Sequence, residues 1–224
     1  MSVLALQSCT DNLVYTGADI EVVLTGNTYK AAFTESSPVS TFNSGNQILL
    51  NASGSLQIDN RILTYMDNQW KAENEFSWSD LTGKTNVTAV YPVYPDLDYV
   101  QENLYKNNSL EDILYVKDEF PAGNSIHLQF KHLFSLLTLH LEGNLQTYFQ
   151  KIEVTCPAVS SIIPKSAEIV LADNGTHTTT IAQVSPSGNY SFIVPPVKNM
   201  VIAINMVTNG KKYTTQLETK SFTA

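Results

Sequence analysis

Three of the four histidines, His127, His132 and His140, fall in one apolar stretch, HLQFKHLFSLLTLHL. Clustered imidazoles are what a transition metal takes, so a metal centre is the first chemistry to weigh. Their spacing argues against it: in an extended chain the three fall on mixed faces, and no cysteine or carboxylate stands at ligand spacing close by. The two cysteines, Cys9 and Cys156, are too far apart in sequence to define a disulfide framework or a zinc motif. Cys156 ends FQKIEVTC, where Ile152, Val154 and Cys156 alternate with polar residues, and it reads as a small buried hydrophobe in a strand. Paired carboxylates could do acid–base work, and the nearest approach to a pair is Asp96 with Asp98 or Glu111 with Asp112. Both pairs lie in loop or helix-start contexts, where solvation or capping accounts for them. Glycine-rich phosphate loops, HExxH and GxSxG are absent from the sequence. The chain is therefore expected not to be an enzyme, and to use no cofactor and no metal.

Composition narrows the partners. A formal charge of −8 and a pI near 4.9 leave no basic surface to track phosphates, which excludes nucleic acid. With 224 residues and 43% hydrophobic content, the chain is long enough for one large or two small domains with a real core. Charged residues make up only 15%, while Asn, Thr, Ser and Tyr are abundant, a mixture that suits sheet surfaces outside the cytoplasm.

The elements that would position any site are strands. Short segments of strand character recur as DIEVVL, TYKAAFT, NQILL, SLQI, RILTYM and NVTAVYPVY, separated by turn clusters such as SGN, NASG and LTGK. The best helical candidate is DLDYVQENLYK, long enough for a turn or two, and EDILYV is ambiguous. Later in the chain, EIVLA and HTTTIAQV are expected to form a hairpin across Asn174 and Gly175. A second hairpin is expected across Asn209 and Gly210, with Met200, Ile202, Ile204 and Met206 lining one face. Pro195 and Pro196 must end the strand YSFIV, because neither donates to a ladder. Such arrays pack most simply as antiparallel sandwiches.

Within HLQFKHLFSLLTLHL, Leu128 and Phe130 bury even positions, whereas Leu137, Leu139 and Leu141 bury odd ones. A one-residue slip turns every later side chain to the opposite face, as a chain needs when it leaves one sandwich and founds the next. The boundary is expected near residues 133–136. Lys131, His132 and His140 interrupt the stretch, so it is no membrane span.

At the N-terminus, the apolar run from Val3 to Leu6, then Ser8 and Cys9, resembles the end of a bacterial lipoprotein signal, cut before a cysteine that takes the lipid. Only a short apolar run remains, so on residues alone a shortened signal and an incidental cysteine both stand.

Trp70 and Trp78 in NQWKAENEFSWSD, then AVYPVYP, DILYV and HLQFKHLFSLLTLHL, are together similar to the fimbrillin family of Bacteroidales, which includes subunits of major and minor fimbriae and their anchor and tip proteins. The pair Phe130 and His132 matches a Phe-x-His at that family's passage between domains, and YSFIVPP resembles a segment of its second domain. The resemblance runs from about residue 40 onward. It implies an all-β fold of two transthyretin-like antiparallel β-sandwich domains in tandem. The expected organisation is a shortened lipoprotein signal and tail at 1–18, an N-terminal sandwich at 19–132 and a C-terminal sandwich at 133–224, with its last strand in question.

By the same resemblance, the chain is expected to be a cell-surface lipoprotein, anchored in the outer membrane through Cys9, and a structural or accessory pilus subunit. Its partners would be other pilus subunits, met by strand exchange or edge-strand docking, and a host protein or glycan ligand fits such a role. In polymerising relatives an arginine-specific protease removes the first strand and a neighbour's strand fills the groove. Two features depart from that pattern. Arg61 is the only arginine and lies in RILTYM, inside an expected strand. The ending YTTQLETKSFTA stops where similar proteins continue into one more strand, leaving either an acceptor groove or a shortened chain. The rival reading is a glycan-binding β-sandwich lipoprotein with Trp70 and Trp78 exposed on one flat face.

Overall fold

The computed structural model describes residues 12–16, 20–25, 41–67, 69–72, 82–121, 126–141, 149–184, 188–196, 201–208 and 211–218. In chain order the first half contributes β1 (Asn12–Thr16), β2 (Ile20–Thr25), β3 (Gln47–Gly54), β4 (Ile58–Met66), β5 (Gln69–Ala72) and β6 (Thr85–Tyr91). A small hairpin follows, β7 (Tyr105–Lys106) with β8 (Ser109–Leu110), then β9 (Leu114–Phe120) and β10 (Ile126–His132). All but the small hairpin join one eight-stranded sheet in the order β1-β2-β10-β9-β6-β3-β4-β5. Its pairs are antiparallel except β2 with β10, which run parallel through Val22↔Leu128, a departure from the expected antiparallel pairing. The long stretch of chain between these two strands leaves their direction free, whereas hairpin neighbours must be antiparallel.

One face of this sheet carries the first core: Ile48, Leu50 and Ala52 of β3, Val87 and Ala89 of β6, Leu114 and Val116 of β9, Leu128 and Phe130 of β10. The sheet curls onto itself. Phe42 lies with its ring 5.1 Å from Trp70 of the end strand β5 and 5.8 Å from Phe130, so strands far apart in the sheet share one interior. NASG, expected as a turn, is part of β3, and SLQI is not a separate strand, since the chain turns at 55–57. Two local features explain this. Asn51 Oδ1 accepts a hydrogen bond from Asn60 N at 2.9 Å across a register shift between Leu50 and Ala52. Gly54 has φ +130°, and a Cβ there would sit 2.5 Å from the Lys84 carbonyl oxygen, so the glycine marks a close strand approach.

The expected helix reduces to a 3-10 turn at Pro95–Leu97 and one α-helical turn, α1 (Gln101–Leu104). The last three residues of EDILYV, Leu114 to Val116, open β9, and Glu111 to Ile113 belong to the connection before it. TYKAAFT lies outside the described residues.

The second half contributes β11 (Ser135–Leu141), β12 (Phe149–Ile163), β13 (Glu168–Val184), β14 (Gly188–Val194), β15 (Val201–Thr208) and β16 (Lys211–Glu218). β11 pairs with β14, and this two-stranded sheet faces a four-stranded one ordered β13-β12-β15-β16. Between them lies a second core of Leu137, Leu139, Ile152, Val154, Cys156, Phe192, Val194, Ile202, Ile204 and Met206. Burial pushes the Cys156 thiol up to about 12. The hairpin expected at Asn174 and Gly175 is not there: β13 runs straight through, and these residues bulge opposite Ala158, where the register jumps from Pro157↔Thr176 to Val159↔Leu171. Asn174 takes φ +54°, a left-handed conformation that serves a bulge as well as a turn. The reversal comes instead between Ile163 and Glu168, where Ala167 has φ +53°. β15 and β16 pair up to Thr208↔Lys211, the register a two-residue connection at 209 and 210 demands, and β14 ends at Val194 before the two prolines, both as expected.

The phase slip is physical. β10 ends at His132 and β11 begins at Ser135 in a different sheet, so Leu128 and Phe130 enter the first core while Leu137 and Leu139 enter the second. Leu133 and Phe134 between them enter a third cluster, with Leu49 and Val90 from the back of the large sheet, Tyr94, Tyr99, Leu104, Leu110 and Ile113 from the β6–β9 connection, and Val159, Ile162 and Ile193 from the second half.

Candidate assembly surface

A protein of sheets meets others most readily at unpaired strand edges, where a row of backbone N–H and C=O groups is open. Among the described residues the large sheet ends at β1 and β5, and the four-stranded sheet ends at β13 and β16. β5 is short, and its Trp70 turns inward. β16 is eight residues long, and Lys211 to Gln216 are all exposed, on both faces of the strand.

Direct cross-strand partners point to the same side of a sheet. Tyr213 lies opposite Met206, and Thr215 opposite Ile204, so this row of β16 faces the same way as the second core. Met206 and Ile204 are buried, yet Tyr213 is 50% exposed. At the other edge the corresponding row is covered: Thr179 of β13 is buried and Ile181 packs against the core. The two-stranded sheet thus roofs β13, β12 and β15 and leaves the core-side row of β16 open. KKYTTQL carries this signal, since its inward row offers Tyr and Thr where β15 offers Ile and Met. Sequence reasoning took the strand for an ordinary hairpin partner.

The residues singled out for chemistry fall as follows. Cys9 and Trp78 lie outside the described residues. Trp70 is buried, with its indole packed edge-on against Phe42, and offers no face to a sugar. Arg61 lies within β4 opposite Leu50. His127, His132 and His140 lie on two strands of different sheets, and among the described residues no cluster of three His, Cys, Asp or Glu could hold a metal. His132 Nδ1 instead stands 2.9 and 3.0 Å from the two carboxylate oxygens of Asp112. Asp112 is buried, which overturns the expectation that solvation or capping accounts for it. Its neighbour Glu111 accepts hydrogen bonds from the Tyr94 hydroxyl and from Lys106 Nζ, the latter at 2.6 Å. Burial, and then the Glu111 hydrogen bond and charge, hold the Tyr94 phenol far above its ordinary value. Asp112 and Glu111 are thus occupied as structural partners.

Residues 30–224 match the fimbrillin-like family. The chain belongs to that family. This fimbrillin-like chain also shares its fold with a crystal structure of a candidate cell adhesion protein from Bacteroides ovatus ATCC 8483, at 14% identity and a TM-score of 0.54 over 81% of this chain and 79% of the other. A fimbrial protein from the same organism aligns at 15% identity and a TM-score of 0.45, over 80% of this chain and 41% of its own length. No curated protein matches the sequence.

Proposed function

We propose that the chain is a structural or accessory subunit of a cell-surface pilus that joins its neighbours by β-strand addition, with the β16 edge as one docking surface. The observation that carries this reading is the open core-side row at Tyr213 and Thr215 beside a strand edge that is unpaired among the described residues. An incoming strand alongside the two-stranded sheet would cover that row, and a strand added to β16 itself would satisfy its outer backbone groups. Either mode needs assembly and no turnover. Membership of the fimbrillin-like family supports the pilus role, and the cell adhesion protein that shares this fold is in keeping with it.

The reading includes two sandwich domains divided at residues 133–134, supported by the separate cores on either side of that point. It also includes a lipid on Cys9 that holds the subunit at the outer membrane. Acyl chains contribute roughly 0.8 kcal/mol per buried CH₂, and stable anchoring takes more than one chain. Two experiments test the proposal. Filaments carrying a photoactivatable crosslinking residue in place of Gln216, recovered from the native host surface and irradiated, should give a ladder of linked subunits, whereas the same residue in place of Lys117 on the large sheet should not. No ladder from β16 would remove this edge from the interface. The intact mass of the mature protein should show an acylated N-terminus at Cys9; an unmodified chain beginning at Met1 would sink the anchor and the export it requires.

A further inference from the structure

The His132–Asp112 pair sits where the chain leaves the large sheet. His132 is the last residue of β10, and the two side chains are 17% and 4% exposed. The residues that follow the two are also joined, Leu133 N donating to Ile113 O at 2.7 Å. Ile113, Leu133 and Phe134 then enter the third cluster, whose far wall is Val159, Ile162 and Ile193.

The connection at 92–113, which Asp112 and Ile113 close, is bound to the second half along its length. Ile162 N donates to Tyr99 O at 2.9 Å, and Val159 N donates to the Tyr105 hydroxyl at 2.9 Å. Asn108 Nδ2 donates to Thr178 O at 3.0 Å, while His177 Nε2 lies 2.8 Å from Asn108 O with its ring stacked 4.0 Å from Tyr105. The connection is therefore a strut from the large sheet to β12 and β13, and the ion pair lies at its root.

We infer that His132 and Asp112 form a proton-operated clasp that sets how firmly the strut, and with it the second half, is held against the large sheet. The clasp is closed while the imidazole is charged and slackens when the proton leaves. This goes beyond the assembly reading and does not depend on it.

Of the titratable groups beside Asp112, His132 is the one that changes charge near neutral pH; His177, the other imidazole that meets the strut, lies on β13 against Asn108 and Tyr105. Glu111 is engaged by Tyr94 and Lys106. The Tyr91 phenol, near both acids, and the Tyr94 phenol, hydrogen-bonded to Glu111, are held above their ordinary value, first by burial and then by these carboxylates, so they stay neutral. For His132 itself, burial works against the charged form, but the hydrogen bond and charge of Asp112 outweigh it, and the group titrates above its ordinary 6.5. A folded-state value above the unfolded one means that the clasp contributes fully below about 6.5 and is lost as pH rises through the higher folded value.

The test uses the full chain. Histidine NMR titration should place His132 above 6.5 in the wild type and lower in Asp112→Asn. Spin labels at Asp118→Cys and Lys212→Cys, in a Cys9→Ser background with Cys156 buried, report the distance between the two halves. The distribution should be narrow at about pH 5.5 and broader at about pH 9. In His132→Gln it should be broad at both, and the isosteric Asp112→Asn supplies the same comparison should His132→Gln fold poorly. A wild-type His132 titrating at or below 6.5, a distribution unchanged with pH, or a pH response that survives in both variants would each overturn the clasp.

Discussion

Replacing Tyr213 by Asp separates what β16 does for the fold from what it does for assembly. Aromatic side chains carry roughly 150–250 Å² of surface. With Tyr213 50% exposed, about 100 Å² of it is left for a partner to cover. At ~25 cal/mol per Å² that burial is worth about 2.5 kcal/mol, or roughly 60-fold in affinity. Placing a carboxylate under an incoming strand adds a desolvation cost on top, so 60-fold is the lower bound for Tyr213→Asp. Within the isolated subunit the other half of the side chain, about 100 Å², is already buried, and by the same coefficient the unfolding free energy should fall by up to about 2.5 kcal/mol. The paired assays are urea unfolding of the monomer and filament yield on host cells by electron microscopy and sedimentation. The expected result is a monomer that still unfolds cooperatively, with a lower midpoint and an unchanged m-value, and filaments lost or shortened. Wild-type filaments from a folded Tyr213→Asp subunit would refute the argument, and so would a monomer too unstable to fold, because the row would then not be free in the subunit.

Other consequences concern the fold. Phe130→Ala removes a fully buried ring from the first core, where it meets Phe42, and should cost about 3–5 kcal/mol of stability by denaturant midpoint. Gly54→Ala, which forces a Cβ against the Lys84 carbonyl at φ +130°, should cost on the order of 1–3 kcal/mol, whereas Gly83→Ala, whose Cβ would meet only Ser55 at an ordinary 3.6 Å, should cost less. In a Cys9→Ser background, Cys156 should resist a thiol reagent at about pH 8 in the native protein and react at once in denaturant, because burial holds its thiol up to about 12.

Much of the fold was legible because strands announce themselves by alternation. The switch from Leu128 and Phe130 to Leu137 and Leu139 located the change of core, and the pattern around Cys156 placed it inside. Turn chemistry was less faithful. Asn174 and Gly175 look the same in sequence whether they reverse a chain or bulge it, and only the pairing of β13 along β12 decides between them. At Gly54 the glycine answers to Lys84, distant in sequence, and no local rule reads that. The parallel β2–β10 pair and the role of Asp112 are likewise products of tertiary contact: a carboxylate next to Glu111 looks solvated until His132 is brought to it. The open row of β16 was half legible. Its polar character is in KKYTTQL, but that the described strands leave it unroofed depends on the width of the facing sheet, which no single segment encodes.

Hydrogen–deuterium exchange at the β16 amides, compared between isolated subunits and filaments from the native host, addresses strand addition most directly. Strand addition at this edge predicts that the outward-facing amides of residues 211–216, the alternate ones not bonded to β15, exchange readily in the monomer and are strongly protected in the filament, with Tyr213 buried alongside them. Equal exchange across 211–216 in both states, with protection appearing instead at another edge or at none, would contradict it.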